Sequence, residues 1–192
     1  MGQNQVPIGI SNRHLHVSQT DLEALFGSGY ELHPTKPLSQ PGQFACEETV
    51  NLIGPKGAIQ KVRILGPVRP RTQVEVSKTD SFTLGISPPI RDSGSLAGSP
   101  GITIEGPRGK ITINEGVIIA QRHLHLHTSE AQKLGLEDKS YISVKCEGAD
   151  RELIFNRVLV RVHDNFAMDL HIDTDEANAA NVKNGDLATI LG

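Results

Sequence analysis

Two copies of one tetrapeptide carry the reading: Arg13-His-Leu-His16 and, 109 residues later, Arg122-His-Leu-His125. An apolar run of strand character precedes each, at residues 6–10 and 117–120, and a short stretch with helix-start chemistry follows each. Repetition of this kind in a chain of 192 residues predicts two related halves. Alternation places the two histidines of each copy on one face of a strand, roughly 6.5–7 Å apart at Cα, so both imidazoles can reach one ion.

Two further echoes extend the pattern. Residues 130–144 align without gaps on residues 176–190, each a short helix, a turn and a strand. This resembles the repeating unit of pseudo-symmetric small β-barrels of the double-psi kind. The segment Gln73-Val-Glu-Val-Ser-Lys-Thr-Asp80 echoes Asp169-Leu-His-Ile-Asp-Thr-Asp175, one residue shorter. That echo puts Glu75 and His171 in equivalent places, each flanked by apolar residues that would bury the other face of its strand. Two three-ligand sets follow: His14, His16 and Glu75; and His123, His125 and His171. Three protein ligands leave one coordination position open, the arrangement of catalytic rather than structural zinc.

Abundant Val, Ile and Thr, with 19 glycines and 11 prolines, predict many short strands. Strands are expected at 6–11, 49–53, 60–65, 73–76, 101–105, 110–113, 116–119, 141–145, 152–162, 168–172 and 187–191. Three short helices are expected, opened by Thr20-Asp-Leu-Glu23, Ser129-Glu-Ala-Gln132 and Asp175-Glu-Ala-Asn178. They should end near Gly27, at Gly135 and before Asn184-Gly185. Residues 34–42 and 87–100, each with three prolines, read as loops.

Composition narrows the function. With 37% hydrophobic and 21% charged residues the chain should build a globular core. A net charge of −3, with no basic run, excludes bulk attraction to nucleic acid or an anionic membrane. No apolar stretch reaches 18 residues. The start, Met1-Gly-Gln-Asn-Gln5, lacks the features of a signal peptide, and Val6 breaks the myristoylation pattern. Cys46 and Cys146 suit a reducing cytosol and read as structural thiols. Arg69, held in Gly66-Pro-Val-Arg-Pro-Arg71 just before Glu75, is placed to clamp an oxyanion such as phosphate. Lys56, Lys61 and Arg63 form a small basic group upstream. His127 has no match in the first half, where Ser18 stands, and is expected to support a ligand or face substrate. His33 and His163 read as ordinary surface residues.

The blocks Val6-Pro-Ile-Gly-Ile-Ser-Asn-Arg-His-Leu-His16, Gly66–Asp80, Arg122-His-Leu-His125 and Asp169–Asn178 resemble the PduL-type phosphate propanoyltransferases, or phosphotransacylases. The likeness covers nearly the whole chain. It implies a mainly β fold of two pseudo-repeated small barrels with short capping helices and an exchanged N-terminal strand. Residues 1–12 with 121–192 would form one barrel, and 13–120, including loops 34–42 and 87–100, the other. It also implies two zinc ions on the two triads beside the coenzyme A thiol, with phosphate on Arg69. Coenzyme A contacts would fall on Ile10, Ser11, Asn12, Lys56, Arg63 and Asn178. Family members of bacterial microcompartments, as in propanediol degradation, carry an N-terminal encapsulation signal; the early start here favours a free bacterial cytoplasmic enzyme. A homodimer is compatible with the family.

The expected reaction joins a short-chain acyl-CoA, propanoyl or acetyl, with phosphate to give an acyl phosphate and CoA. Direct attack by phosphate is expected, because no Ser or Cys has a recognisable activating partner; Ser93 is the residue that could overturn this. Two rivals are a zinc-dependent acyl-CoA thioesterase or other hydrolase, and a non-catalytic metal-stabilised barrel. The cupin pattern is set aside, since its glutamate follows HxH closely and Glu23 here falls on a predicted helix.

Overall fold

Four times among the described residues a short strand runs straight into a capped helix, and these four joints organise the rest. The computed structural model describes residues 4–148 and 150–191; the polar start read above at Met1, Gly2 and Gln3 lies outside them. The order is β1 (Gln5–Ser11), β2 (His14–His16), α1 (Gln19–Phe26), β3 (Pro34–Pro37), β4 (Phe44–Ile53), β5 (Ala58–Gly66), β6 (Gln73–Glu75), α2 (Lys78–Leu84) and β7 (Ile90–Arg91). It continues with β8 (Ile102–Glu105), β9 (Lys110–Ile113), β10 (Val117–Ala120), β11 (His123–Leu126), α3 (Thr128–Leu134), β12 (Tyr141–Cys146), β13 (Leu153–Val162), β14 (Asp169–Asp173), α4 (Thr174–Ala180) and β15 (Leu187–Ile190). The fold is mainly β, as the sequence indicated.

The chain divides into two compact units. The first comprises the chain up to Ser11, Ser39–Pro41 and the chain from Gln121 onward. Its strands close into a barrel in the order β1-β14-β11-β13-β12-β15. β1 runs parallel to β14, with Ile8 opposite Leu170 and Ile10 opposite Ile172, and antiparallel to β15. The N-terminal strand is thus built into a unit whose other strands all come from beyond residue 120. Val6, Ile8, Leu124, Leu126, Val160, Leu170 and Ile172 fill the interior and are almost wholly buried.

The second unit comprises Asn12–Leu38 and Gly42–Ala120. Its sheet, ordered β7-β10-β6-β2-β5-β4-β8-β9 with β3 against β4, does not close. Where two barrels were expected, the second is a half-barrel. The edges explain this. β7 has two residues, too few to carry a ladder around, and the β8–β9 end is sealed by α1. There the Arg108 N–H donates to the Leu25 carbonyl at 2.9 Å, and a Cβ at Gly106 would lie 2.6 Å from that same oxygen. The core is Leu15, Val17, Leu22, Leu25, Leu52, Ile64, Val74, Ile104 and Val117.

Each of the three expected helices begins two residues before the position read from the sequence, and the cap chemistry shows why. Ser18, not Thr20, caps α1 and accepts the Asp21 N–H at 3.1 Å. His127, not Ser129, caps α3: its Nδ1 accepts the Ser129 N–H, and the Glu130 carboxylate accepts the His127 N–H at 3.0 Å. Asp173, not Asp175, caps α4 with Glu176 as reciprocal partner. The fourth helix, α2, was not expected at all, although Ser77 and Asp80 form a complete capping box. The third echo had placed Ser77 opposite Asp173, so the signal was present. Residues 34–42 are not wholly loop either: β3 pairs with β4 even though it carries two prolines, which an exposed edge strand tolerates. No helix among the described residues is long and apolar enough to cross a membrane.

Candidate functional site

In the second unit β2 and β6 run antiparallel, with His14 opposite Glu75, Leu15 opposite Val74 and His16 opposite Gln73. Alternation turns Leu15 and Val74 into the core and collects the four polar side chains on the other face. His14 donates from Nδ1 to the Asn12 carbonyl at 2.8 Å, and His16 from Nδ1 to the Leu65 carbonyl at 3.1 Å. Both rings are thereby held as the tautomer with a bare Nε2. The His14 Nε2 lies 3.5 Å from Glu75 Oε2, and one ligand-capable atom of each of His14, His16 and Glu75 falls within 4.8 Å of the others. Burial, the Arg69 guanidinium and His14 push the His16 imidazole down to about 3, so it stays neutral.

The first unit repeats the arrangement on β11 and β14: His123 opposite His171, Leu124 opposite Leu170 and His125 opposite Asp169. His123 donates from Nδ1 to the Gln121 carbonyl at 2.8 Å, two residues back, as His14 does. Its Nε2 meets the His125 Nε2 at 3.0 Å, and the rings of His125 and His171 lie 4.8 Å apart. His125 packs edge-on against Phe166, and its buried Nδ1 has no hydrogen-bond partner among the described residues. Burial, His123 and His171 lower its pKa to about 2. One ligand-capable atom of each of His123, His125 and His171 likewise falls within 4.8 Å of the others.

The duplicated arginines have parallel structural jobs that the sequence did not disclose. Arg13 grips Asp80 with two bonds of 2.8 and 2.9 Å, and Arg122 holds Glu176 at 2.6 Å. Those acids are the N3 residues of α2 and α4, so each arginine fastens the helix that follows the third-ligand strand. His127 and Ser18 are likewise equivalent: both are helix N-caps, which accounts for His127 without a role toward substrate.

Arg69 is half-buried in the turn between β5 and β6, and its side chain reaches Ser93 Oγ at 3.4 Å. Residues 87–100, expected as loop, include β7, which pairs with β10; Ser93 just after it donates to Glu75 Oε1 at 3.1 Å. The sequence offered no partner for Ser93, because loop residues carry no register; only the folded loop reveals one. Both cysteines are buried, and burial raises each thiol to about 11, which fits packing rather than nucleophilic work.

Residues 7–183 match the family described as phosphate propanoyltransferase. The chain belongs to that family. A relative from Thermotoga maritima named phosphate propanoyltransferase is 57% identical, covering 96% of this chain and 88% of its own length. Relatives of the same name from Rhodopseudomonas palustris and Salmonella typhimurium are 54% and 49% identical. They cover 97% and 96% of this chain, and 82% and 87% of their own lengths.

In this phosphate propanoyltransferase family member, each position that the resemblance assigned to coenzyme A can be placed within its own unit. Ile10 and Ser11 end β1, where the Ile10 N–H donates to Asn184 Oδ1 at 2.7 Å, and Asn178 is exposed on α4. In the second unit Asn12 is exposed. Arg63 sits opposite His14 on β5 and donates to the Cys46 and Glu47 carbonyls at 2.8 and 2.9 Å. Lys56 lies exposed in the β4–β5 turn, and Lys61 at a positive-φ bulge of β5, so the basic group read from the sequence is spread along the hairpin.

The donor sets fit divalent ions. A tetrahedral ion with ligands at about 2.0–2.1 Å has ligand–ligand edges of roughly 3.3–3.4 Å, close to the 3.5 Å and 3.0 Å separations above. Two imidazoles facing one another through Nε2 at 3.0 Å is an arrangement that a shared cation satisfies and an empty apolar site does not. Nitrogen-rich sets of borderline softness favour zinc over magnesium or calcium.

Proposed function

We propose that this chain transfers a propanoyl group between coenzyme A and inorganic phosphate, with one zinc ion held by His14, His16 and Glu75 and another by His123, His125 and His171. Acetyl groups are within the same reading, since nothing in it discriminates by one methylene beyond roughly 1–3 kcal/mol. The residues assigned to coenzyme A by the resemblance are Ile10, Ser11, Asn12, Lys56, Arg63 and Asn178. A bacterial cytoplasmic location accompanies this reading.

In the forward direction a phosphate oxygen attacks the thioester carbonyl carbon, the carbon–sulfur bond breaks, and sulfur leaves with the electron pair as the CoA thiolate. Bound zinc supplies Lewis acidity, worth several kcal/mol, toward a thiolate or a thioester carbonyl. Arg69 holds the phosphate through its fork of N–H donors and fixes the line of attack. The neutral imidazoles keep their lone pairs toward the ion across the working pH range, because burial holds His16 and His125 far below neutrality. Ser93 donates a hydrogen bond to Glu75 and accepts one from Gln73 at 2.8 Å, so it orders the carboxylate and needs no acyl-serine stage.

The observation that carries the reading is the pairing, in a phosphate propanoyltransferase family member, of two three-ligand clusters with an arginine at the edge of one. The test is thiol release from propanoyl-CoA and acetyl-CoA. Release that requires phosphate and is lost on chelation and restored by zinc supports the proposal. Release without phosphate would make the enzyme a hydrolase, and a burst with a trapped acyl-Ser93 would replace direct attack by a covalent route.

A further inference from the structure

Beside each triad stands a fourth buried polar side chain with no role of its own in the preceding assignments. Gln73 is 2% exposed and lies two residues before Glu75; Asp169 is 4% exposed and lies two residues before His171. The strand registers make them equivalent, because Gln73 faces His16 as Asp169 faces His125. Each touches the third member of its own triad. Gln73 Nε2 donates to Glu75 Oε1 at 2.6 Å, and the His171 Nε2 lies 2.9 Å from Asp169 Oδ2.

The two contacts have opposite polarity. A carboxylate ligand can only accept, and its neighbour is an amide that donates; a neutral imidazole ligand has one N–H to give, and its neighbour is a carboxylate that accepts. The orientation of the Gln73 amide is fixed independently, since its Oε1 accepts the Gly94 N–H at 2.8 Å, which leaves Nε2 for Glu75 and Ser93. The Asp169–His171 pair is enclosed as well. Gly9 on β1 sits opposite His171, and a Cβ there would lie 2.7 Å from Asp169 Oδ2 and 2.9 Å from His171 Cδ2.

We propose that Gln73 and Asp169 are the positioning residues of the two ion sites, each matched in hydrogen-bond polarity to the one ligand that differs between the sites. Gln73 orients the Glu75 carboxylate through the Nε2–H to Oε1 hydrogen bond. Asp169 accepts a hydrogen bond from the Nε2–H of His171, selecting the tautomer whose lone pair is on Nδ1 and fixing the ring. Removing such a partner costs roughly tenfold to a hundredfold in metal affinity. This inference rests on the reading of the triads as ion sites.

The experiment measures zinc affinity by competition with a chromophoric chelator, one site at a time. His16→Ala leaves the first-unit site to be read, and His125→Ala leaves the second-unit site. With only the first-unit site present, Asp169→Asn should weaken zinc about tenfold, Asp169→Leu further, and Gly9→Ala should do the same without touching either side chain. Gln73→Glu should leave that site unchanged. With only the second-unit site present, Gln73→Glu should weaken zinc and Asp169→Asn should not. Cobalt(II) spectra check that Asp169→Asn keeps the coordination number; a lost ligand would make Asp169 a direct ligand and overturn the positioning role. Full-affinity zinc in every variant, or equal loss at both sites, overturns the inference alone. Absence of zinc binding by the wild-type chain overturns the ion-site reading, and the inference with it.

Discussion

The two units hold the same grid of side chains on different scaffolds. In one, the ligand-bearing strands β11 and β14 belong to a closed six-stranded barrel; in the other, β2 and β6 lie within a sheet that stays open. The cross-strand register is nevertheless the same, His123 with His171 and His14 with Glu75. Closure is therefore not what builds the site. Two adjacent antiparallel strands, a buried apolar residue between the two histidines and a capped helix after each strand suffice. What differs is one ligand, and its neighbour differs with it.

Removal of a ligand should break the comparison most severely. His14→Ala or His123→Ala should each lower turnover by about a hundredfold to a thousandfold or more, given several kcal/mol of Lewis-acid stabilisation. Steady-state kinetics of both variants check this. Next come the residues behind the ligands. Leu15→Ala and Leu124→Ala, both fully buried, should each destabilise their own unit by about 2–5 kcal/mol. Denaturation followed by probes in each unit would show whether the open sheet tolerates its cavity better than the barrel does.

Much of this was legible before the fold was known, because the signals were local and repeated. Arg13-His-Leu-His16 and its copy announced the ligand strands, and the weaker echo put Glu75 and His171 in equivalent places. What escaped notice depended on tertiary pairing or on unfamiliar capping chemistry. Histidine is an uncommon N-cap, so His127 read as an extension of the ligand alternation. Ser77 and Asp80 were visible but were absorbed into the strand echo, which hid α2. The barrel expected of residues 13–120 stays open because β7 is short and α1 covers the far edge, features that a repeat argument cannot register.

Arg69 acts on His16 in the second unit as Arg161 acts on His125 in the first, but only Arg69 carries the phosphate role, so its loss tests that difference. Arg69→Ala should raise the phosphate KM about tenfold to a hundredfold, the worth of charge-assisted hydrogen bonds, with little change in the CoA KM. Equal effects on both would remove it from the phosphate role. Arg13→Ala and Arg122→Ala should each cost about 1 kcal/mol, since both guanidiniums are partly open to solvent. Matching losses would confirm the parallel role at α2 and α4.

The smallest effect is a pH dependence confined to the second unit. Glu48 hydrogen-bonds His33 at 2.7 Å and raises the His33 pKa above its ordinary value; burial pushes Glu48 up, but bonds from His33, the backbone and Tyr30 hold it below the usual carboxylate range. The His33 contribution is complete below about 6.5 and fades as pH rises through the raised value. That of Glu48 is complete above about 4.5 and fades as pH falls through the lowered one. The pair should therefore stabilise most between those limits. Glu48→Gln should bring the His33 titration, followed by NMR, back toward about 6.5.

The central claim is that each unit binds its own ion. Zinc stoichiometry by elemental analysis of the purified chain, alongside His16→Ala and His125→Ala, tests it most directly. The account predicts two ions per wild-type chain, one in each single variant and none in the double variant. A single ion in the wild type, or both ions lost from either single variant, would contradict it.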